Sequence, residues 1–337
     1  MEAVTPVEDV EWIRIDDGSA VGRVRRAATR LANQLDFSEH RAGEVAIAAT
    51  EIGTNLFRHA DNGAIAVRVR READTAAVEL IGIDSGPGVA NLGSLLSDGR
   101  STAGTLGIGL GAIVRLATWF DAQSTPGRGT VMLATFWRGA APAAPPGIAM
   151  LTRAMSGESV CGDACAVRTH DGVTTLVLVD GLGHGPLAAV AASAAVRAFR
   201  EADPAESPAA LLRRFDIALR RTRGAAASVA RLDPGARSVV VAGVGNVAVW
   251  VDDGERRSGA PGRPGIVGAN AKPAREYALP MPADALVVLH SDGLSSKWDL
   301  GAYAGLRMRD PHLAAAVLLR DAGIRHDDAS VIVAKAS

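Results

Sequence analysis

Twice in this chain a run of apolar residues stops abruptly at Asp-Gly. Residues 174–179 run into Asp180-Gly181-Leu182-Gly183-His184-Gly185, and residues 285–289 run through His290 and Ser291 into Asp292-Gly293-Leu294. A buried strand that ends this way carries a carboxylate at its C-terminal lip, and the glycine lets the backbone turn and approach a ligand. Asp-Gly is also a common turn. Two such ends after strongly apolar strands, with further acids upstream and downstream, suit a hard divalent cation, which takes oxygen ligands in near-octahedral geometry.

The chain has 337 residues, more than one ordinary core accommodates, so two domains are expected. With 48% hydrophobic and 22% charged residues it is globular in composition, and a net charge of −1 gives no electrostatic case for nucleic acid or an anionic membrane. No apolar run approaches a membrane span, and the acidic N-terminus does not read as a signal peptide. Cys161 and Cys165 are the only cysteines. They are too few for a structural zinc site and read as small buried hydrophobes on one face of a strand, in a reduced, cytoplasmic protein.

The first half alternates helical and strand periods. Residues 10–15 read as a strand and 21–35 as a helix, and Ser38 caps a second helix running to about Ala60. Glu51, Asn55 and His59 fall at successive i+4 steps on that helix, the first two within an otherwise apolar segment, where a buried polar group needs a partner. A hairpin over 64–70 and 77–83 ends in Asp84-Ser85-Gly86-Pro87-Gly88. After a loop over 91–102, a glycine-rich segment, Gly104 to Gly111, opens a helix expected to run through Trp119. Paired strands at 120–124 and 130–137 follow. Glycines ahead of a helix N-terminus suit an anion, because free N–H groups and the helix dipole both point at it. The segment is neither a Walker A loop nor a good dinucleotide fingerprint.

The ordered set ATEIGTNLFRHA, IDSGPGV, SDGRSTAGTLGIGLGA and STPGRGT resembles the GHKL ATP-binding fold of histidine kinases, gyrase-type ATPases and anti-sigma-factor kinases, and within it the RsbT-like serine kinases of the stressosome. The resemblance implies ATP and magnesium as cofactors. Asn55 would hold magnesium on the phosphates, Glu51 would act as general base toward the acceptor hydroxyl, and Asp84 would read the adenine amino group. Gly86 and Gly88 would let the backbone approach the base, Gly107, Gly109 and Gly111 would wrap the phosphates, and Thr130 would support the base pocket. Such a set suits phosphoryl transfer, which is mostly positioning and charge neutralisation. No phosphoacceptor-His or dimerisation helix precedes the fold, which argues against a sensor histidine kinase.

An Ala/Pro-rich stretch, residues 139–147, reads as a linker between a domain over 1–138 and one over 148–337. In the second domain, strands are expected at 147–155, 160–169, 174–179, 227–232, 238–242, 247–251, 285–289 and 331–334. Helices start at Pro186, at Ser207-Pro208 and at Asp310-Pro311, the last running to about Asp321. A β-sandwich flanked by helices would let Asp163, Asp180, Asp292 and Asp327 converge on a binuclear centre, which clamps a phosphate and activates water. Neither cysteine has an arginine six residues on, and Asp-x-Asp is absent, so covalent phosphatase chemistry fits less well.

GESVCGDACAV, LVDGLGHG, LHSDGL and HDDASVIV resemble the metal-dependent PPM-type serine/threonine phosphatases of the SpoIIE/RsbX branch. The resemblance implies metal binding by Asp180 and the Gly181 carbonyl, with Asp163 and Asp292 completing a manganese or magnesium centre and Asp327, in preference to Asp328, as the last ligand. The phosphate-gripping arginine of larger members has no clear counterpart, and His184 reads as near the site or as a turn stabiliser. The fold class is therefore α+β: a Bergerat-type α/β sandwich followed by a PPM-like αββα sandwich. The implied function is a cytoplasmic partner-switching regulator that phosphorylates and dephosphorylates STAS-domain antagonist or scaffold proteins, with a downstream phosphatase or sigma-factor regulator as a further partner and neither nucleic acid nor membrane involved. Two alternatives stand beside it: an ATP-sensing domain on a phosphatase-only enzyme, and a non-catalytic module that binds a sigma factor or STAS protein.

Overall fold

The computed structural model describes residues 5–6, 10–72, 75–93, 109–142, 147–269, 271–324 and 326–336. The chain divides into two compact units. One comprises residues 8–145 with 308–320, the other residues 1–7, 146–307 and 321–337. The first strand, β1 (Thr5–Pro6), pairs within the second unit.

The first unit is one antiparallel sheet with helices packed on it. Its strands are β2 (Glu11–Arg14), β3 (Ala64–Glu72), β4 (Thr75–Ile83), β5 (Trp119–Thr125) and β6 (Gly129–Trp137), in the order β2-β3-β4-β6-β5. The central β4 is buried along almost its whole length, as a strand with neighbours on both sides requires. Helix α1 (Gly18–Gln34) starts where the Asp17 side chain accepts from the Ser19 and Ala20 amides, and α2 (Glu39–His59) where Ser38 accepts from the Arg41 amide. Small residues, among them Ala28, Ala32, Ala48 and Ala49, form part of a core completed by Ile52, Leu80 and Phe136. A third helix, α3 (Gly109–Leu116), ends three residues earlier than its apolar pattern suggests. Trp119 instead opens β5, and Thr118 donates to the Thr135 carbonyl, so pairing with β6 overrides helical periodicity.

The second unit is a two-sheet sandwich. One sheet runs β1-β8-β9-β10-β11-β14, with β8 (Asp163–His170), β9 (Val173–Gly181), β10 (Ala225–Asp233), β11 (Ser238–Val244) and β14 (Tyr277–Pro280). The other runs β13-β12-β15-β16-β7, with β7 (Ile148–Arg153), β12 (Ala248–Asp252), β13 (Arg257–Ala260), β15 (Leu286–His290) and β16 (Ala329–Lys335). Cys165, Leu176, Leu178, Val287, Leu289 and Ile332 belong to one core. Helices α4 (Pro186–Arg200) and α5 (Pro208–Leu219) form a second core with Val177, Val179 and Val229. Strands β13 and β14 escape sequence reading because they are four residues each and half exposed. Cys161 precedes β8 rather than lying in it, so only Cys165 is a strand residue, and both thiols are free.

One helix differs from the expected division at residue 148. Helix α6 (Pro311–Asp321) begins where Asp310-Pro311 predicts, yet residues 308–320 group with the first unit. The Asp310 amide donates to Asp121 Oδ2 (2.9 Å), and Arg309 Nη1 lies 3.1 Å from Asp121 Oδ1. His312 Nε2 accepts from Arg68 Nη2 (2.7 Å), and Arg68 is paired with the fully buried Glu79.

Candidate active sites

In the first unit the predicted residues lie on three elements. Glu51 and Asn55 sit one turn apart on α2, and Gly109 opens α3 directly against them. A Cβ built on Gly109 would stand 2.7 Å from Glu51 Oε2 and 3.6 Å from either polar atom of the Asn55 amide. The Asn55 Nδ2 is buried and has no hydrogen-bond partner among the described residues. A buried amide without a partner costs free energy, so its position calls for a ligand that completes it. A helix N-terminus beside a carboxylate and an open amide suits a metal-chelated polyphosphate. Gly107 and most of the glycine-rich loop lie outside the described residues.

Asp84 follows the end of β4, and its amide donates to the Thr130 carbonyl (2.9 Å). Its Oδ1 accepts from the Gly86 amide (2.8 Å), and burial raises its pKa above the ordinary carboxylate value despite that bond. Gly88 has φ of +61°, and a Cβ there would fall 2.2 Å from the Thr125 carbonyl oxygen, so only glycine fits. Thr130 Oγ1 is 2.9 Å from Ser124 Oγ, which in turn accepts from the Val89 amide (2.8 Å). This ties the DSGPG turn to β5 and β6. Gly111 is buried within α3. His59, the third member of the α2 stripe, is exposed and is not brought to Glu51 by any described contact.

In the second unit, the predicted acids fall at strand ends of both sheets. Asp163 and Asp180 are paired residues across β8 and β9. Asp292 lies two residues beyond the end of β15, and Asp327 two residues before β16, its antiparallel neighbour. The Ser291 amide donates to the Ser330 carbonyl (3.1 Å) and the Ser330 amide to Ser291 Oγ (3.0 Å), which locks these strand ends together. Two glycines make the turns possible by close approach. A Cβ at Gly181 would lie 2.2 Å from the Ala188 carbonyl oxygen, and one at Gly293 would lie 1.9 Å from that of Asp328.

The four carboxylates interact. Burial raises the pKa of Asp180, and the charges of Asp163, Asp292 and Asp327 raise it further. Burial likewise raises Asp163, against hydrogen bonds from Ser291 and Ser330, with Asp328 and Asp292 adding repulsion. Asp327 is raised by burial and then by Asp292. Asp163 Oδ2 is buried without a hydrogen-bond partner among the described residues. Among the described residues, no group of three or more His, Cys, Asp or Glu stands ready-assembled to hold a metal. What the structure holds is a set of mutually repelling, all-oxygen donors with an orphaned buried oxygen, and this chemistry fits a hard divalent cation.

Asp327 and Asp328 are set apart by their partners. Asp328 Oδ1 accepts from the Met155 amide and Oδ2 from the Gly162 amide, both at 2.8 Å, so its carboxylate staples three chain segments. Asp327 is less buried and faces Asp292. Ser291 and Ser330 stand beside these motif acids, and sequence reading passed over Asn246, whose Nδ2 donates to Asp292 Oδ2 at 2.5 Å. His184 Nδ1 is 2.7 Å from Glu158 Oε1 at the edge of the same loop.

Residues 16–135 match the family model for the histidine kinase-like ATPase domain, and residues 170–337 match that for stage II sporulation protein E (SpoIIE). The serine/threonine-protein kinase RsbT of Bacillus subtilis strain 168 is 28% identical over 131 residues, covering 39% of this chain and 98% of RsbT. The phosphoserine phosphatase RsbX of the same strain is 26% identical over 140 residues, covering 41% of this chain and 70% of RsbX. A solved structure from work on the bacterial stressosome, as a modular system adapted to control secondary messenger signaling, is 32% identical with a TM-score of 0.52, over 56% of this chain and 98% of that one. Among the described residues, no helix is long and apolar enough to cross a membrane.

Proposed function

We propose that this chain, which joins a histidine kinase-like ATPase domain to a SpoIIE-type phosphatase domain, sets the phosphorylation state of a STAS-domain protein from both directions. The observation that carries the reading is that each half keeps its reactive set together. Glu51 and Asn55 meet at Gly109, and Asp163, Asp180, Asp292 and Asp327 lie within electrostatic reach of one another.

In the first half, Asn55 holds the magnesium of bound ATP, and Asp84 reads the adenine amino group with the oxygen that Gly86 leaves open. Glu51 accepts the proton of the incoming serine or threonine hydroxyl as it attacks the γ-phosphorus, while the bond to the β–γ bridging oxygen breaks and ADP leaves. Positioning by these three groups is the main catalytic contribution such a transfer requires. In the second half, the four aspartates with the Gly181 carbonyl hold a manganese or magnesium pair. Bound there, the metals supply charge neutralisation of the phosphate and an acidified water. Ser291 and Ser330 orient Asp163, Asn246 orients Asp292, and Asp328 keeps the strand ends in register.

The test uses Asp180→Asn, which cannot erase its own product, mixed with labelled ATP, magnesium and a STAS-domain protein encoded nearby. Label that accumulates on that protein, and leaves it when wild-type protein and manganese are added, supports the two-way switch. Absence of label with nucleotide still bound would overturn the kinase assignment and leave the first half as an ATP sensor on a phosphatase.

A further inference from the structure

Helix α6 is anchored at its start and touches the adenine-side turn at its end. At the start, Arg309 and the Asp310 amide meet Asp121 of β5, and His312 accepts from Arg68 and lies, through Nδ1, 2.8 Å from Asp310 Oδ1. Arg68 faces Glu79 across β3 and β4, and Glu79 shares a buried face of β4 with Ile81 and Ile83. From Glu79 to Asp84 the chain advances about 17 Å along the strand. From His312 to Arg320 the helix advances about 12 Å, and the arginine side chain spans the difference. Arg320 Nη1 donates to the Asp84 main-chain carbonyl at 3.0 Å, a contact across 236 positions of sequence.

That carbonyl has little room elsewhere. A Cβ built on Gly129, whose φ is +80°, would fall 2.1 Å from the Asp84 oxygen, so the carbonyl packs on bare backbone. The Asp84 amide is held by the Thr130 carbonyl, so β6 fixes one polar group of the Asp84 main chain and α6 fixes the other. A carboxylate follows its own Cα, and the aim of Asp84 is set by these two bonds. Its ionised form is the one that accepts from an amino group, and burial works against that form. Backbone hydrogen bonds from Gly86 and Thr130 and the Arg320 charge favour it, while the Asp61 charge opposes it. Arg320 therefore serves Asp84 twice, through a hydrogen bond to its main chain and through its charge.

We infer that Arg320 is a positioning residue of the nucleotide site, holding the Asp84 main chain so that its carboxylate stays aimed at the adenine amino group. This role rests on the reading of Asp84 as the group that accepts from adenine. Glu51, Asn55 and the start of α3 lie on other elements, so Arg320 bears on recognition of the base and not on the metal or the phosphates. The ATP site is then completed by a residue that the chain supplies only after Asp292.

The experiment titrates full-length wild type, Arg320→Met and Arg320→Lys with two nucleotides in magnesium: ATP, and purine riboside triphosphate, which is ATP without the 6-amino group. Arg320→Met keeps the apolar stem and loses the donor. It should weaken ATP binding about tenfold and leave purine riboside triphosphate within about twofold of wild type, because one charge-assisted hydrogen bond separates the two ligands. Arg320→Lys can still donate to the carbonyl and should recover most of the ATP affinity. Equal weakening of both nucleotides in Arg320→Met would make the residue merely structural and overturn the assignment, as would unchanged ATP binding. The ratio of the two affinities is read on molecules that bind, so a partial loss of folded protein does not imitate it. Wild type that binds both nucleotides equally would sink the reading of Asp84 itself, whereas wild-type discrimination that survives Arg320→Met would sink Arg320 alone.

Discussion

Gly109 and Glu51 approach so closely that any side chain on the glycine would begin 2.7 Å from the carboxylate. The atom in the way is the far end of a flexible side chain, so the carboxylate would move rather than the fold. Gly109→Ala should therefore leave thermal stability nearly unchanged, alter ATP affinity by less than about threefold, and slow phosphate transfer about 10²-fold, since small misplacements of a reacting group cost about that much. Single-turnover transfer of label from ATP, measured beside a nucleotide-binding titration, checks the split.

Neighbouring aspartates should fail in different ways. Asp328→Ala removes the acceptor of two amides, the part-buried Met155 and the buried Gly162, and should cost about 2–4 kcal/mol of second-unit stability. Asp327→Asn touches no such staple and should stay within about 0.5 kcal/mol of wild type while losing metal-dependent hydrolysis. Denaturant titration alongside phosphatase assay separates the two. If Asp328→Ala retained full stability, the staple would be refuted.

Removing a charge from the acid centre should stabilise the metal-free protein. Asp180 is raised by burial and by the charges of Asp163 and Asp292, so its ionised form weakens the fold when no cation is bound. In chelator, Asp180→Asn should unfold at higher denaturant than wild type, by about 1 kcal/mol, and manganese should reverse the order. Unfolding titrations with and without the metal give both signs.

Glu79 should make the first unit acid-sensitive over a defined range. Burial raises its pKa, but the charges of Arg68, His312 and Arg70 and the Arg68 hydrogen bond together outweigh that and hold it down at about 2, against 4.5 for the free side chain. A carboxylate depressed in the folded state contributes stability above pH 4.5 that is lost as pH falls towards 2. The total is about 3 kcal/mol. Glu79→Gln should lose that slope and, with Arg68 left buried without its counter-charge, cost about 3–5 kcal/mol at pH 7. Stability of both proteins between pH 7 and 2.5 measures the difference.

Local grammar explains what could be read from residues alone. The strand ends at Asp180 and Asp292, the Ser38 cap and the start of α6 depend on neighbours in sequence, and the structure has each where its motif puts it. Asp163 opposite Asp180 required only that two adjacent strands pair in a hairpin. The termination of α3 was missed because residues 118 and 119 are claimed by β6, a partner that helical periodicity does not register. Strands β13 and β14, four residues each, are too short to establish a period.

Helix α6 bears on how such a gene is to be dissected. Its residues group with the ATPase half, while the chain on either side of it, with Asp292 upstream and Asp327 downstream, belongs to the phosphatase half. Scissors applied at the Ala/Pro stretch would therefore release two polypeptides that each lack part of their own body. The upstream piece would lose the residues that meet Arg68 and Asp121, and the downstream piece would carry a helix torn from its setting. Swapping either half onto another protein calls for a graft with two junctions in the second half rather than a single splice.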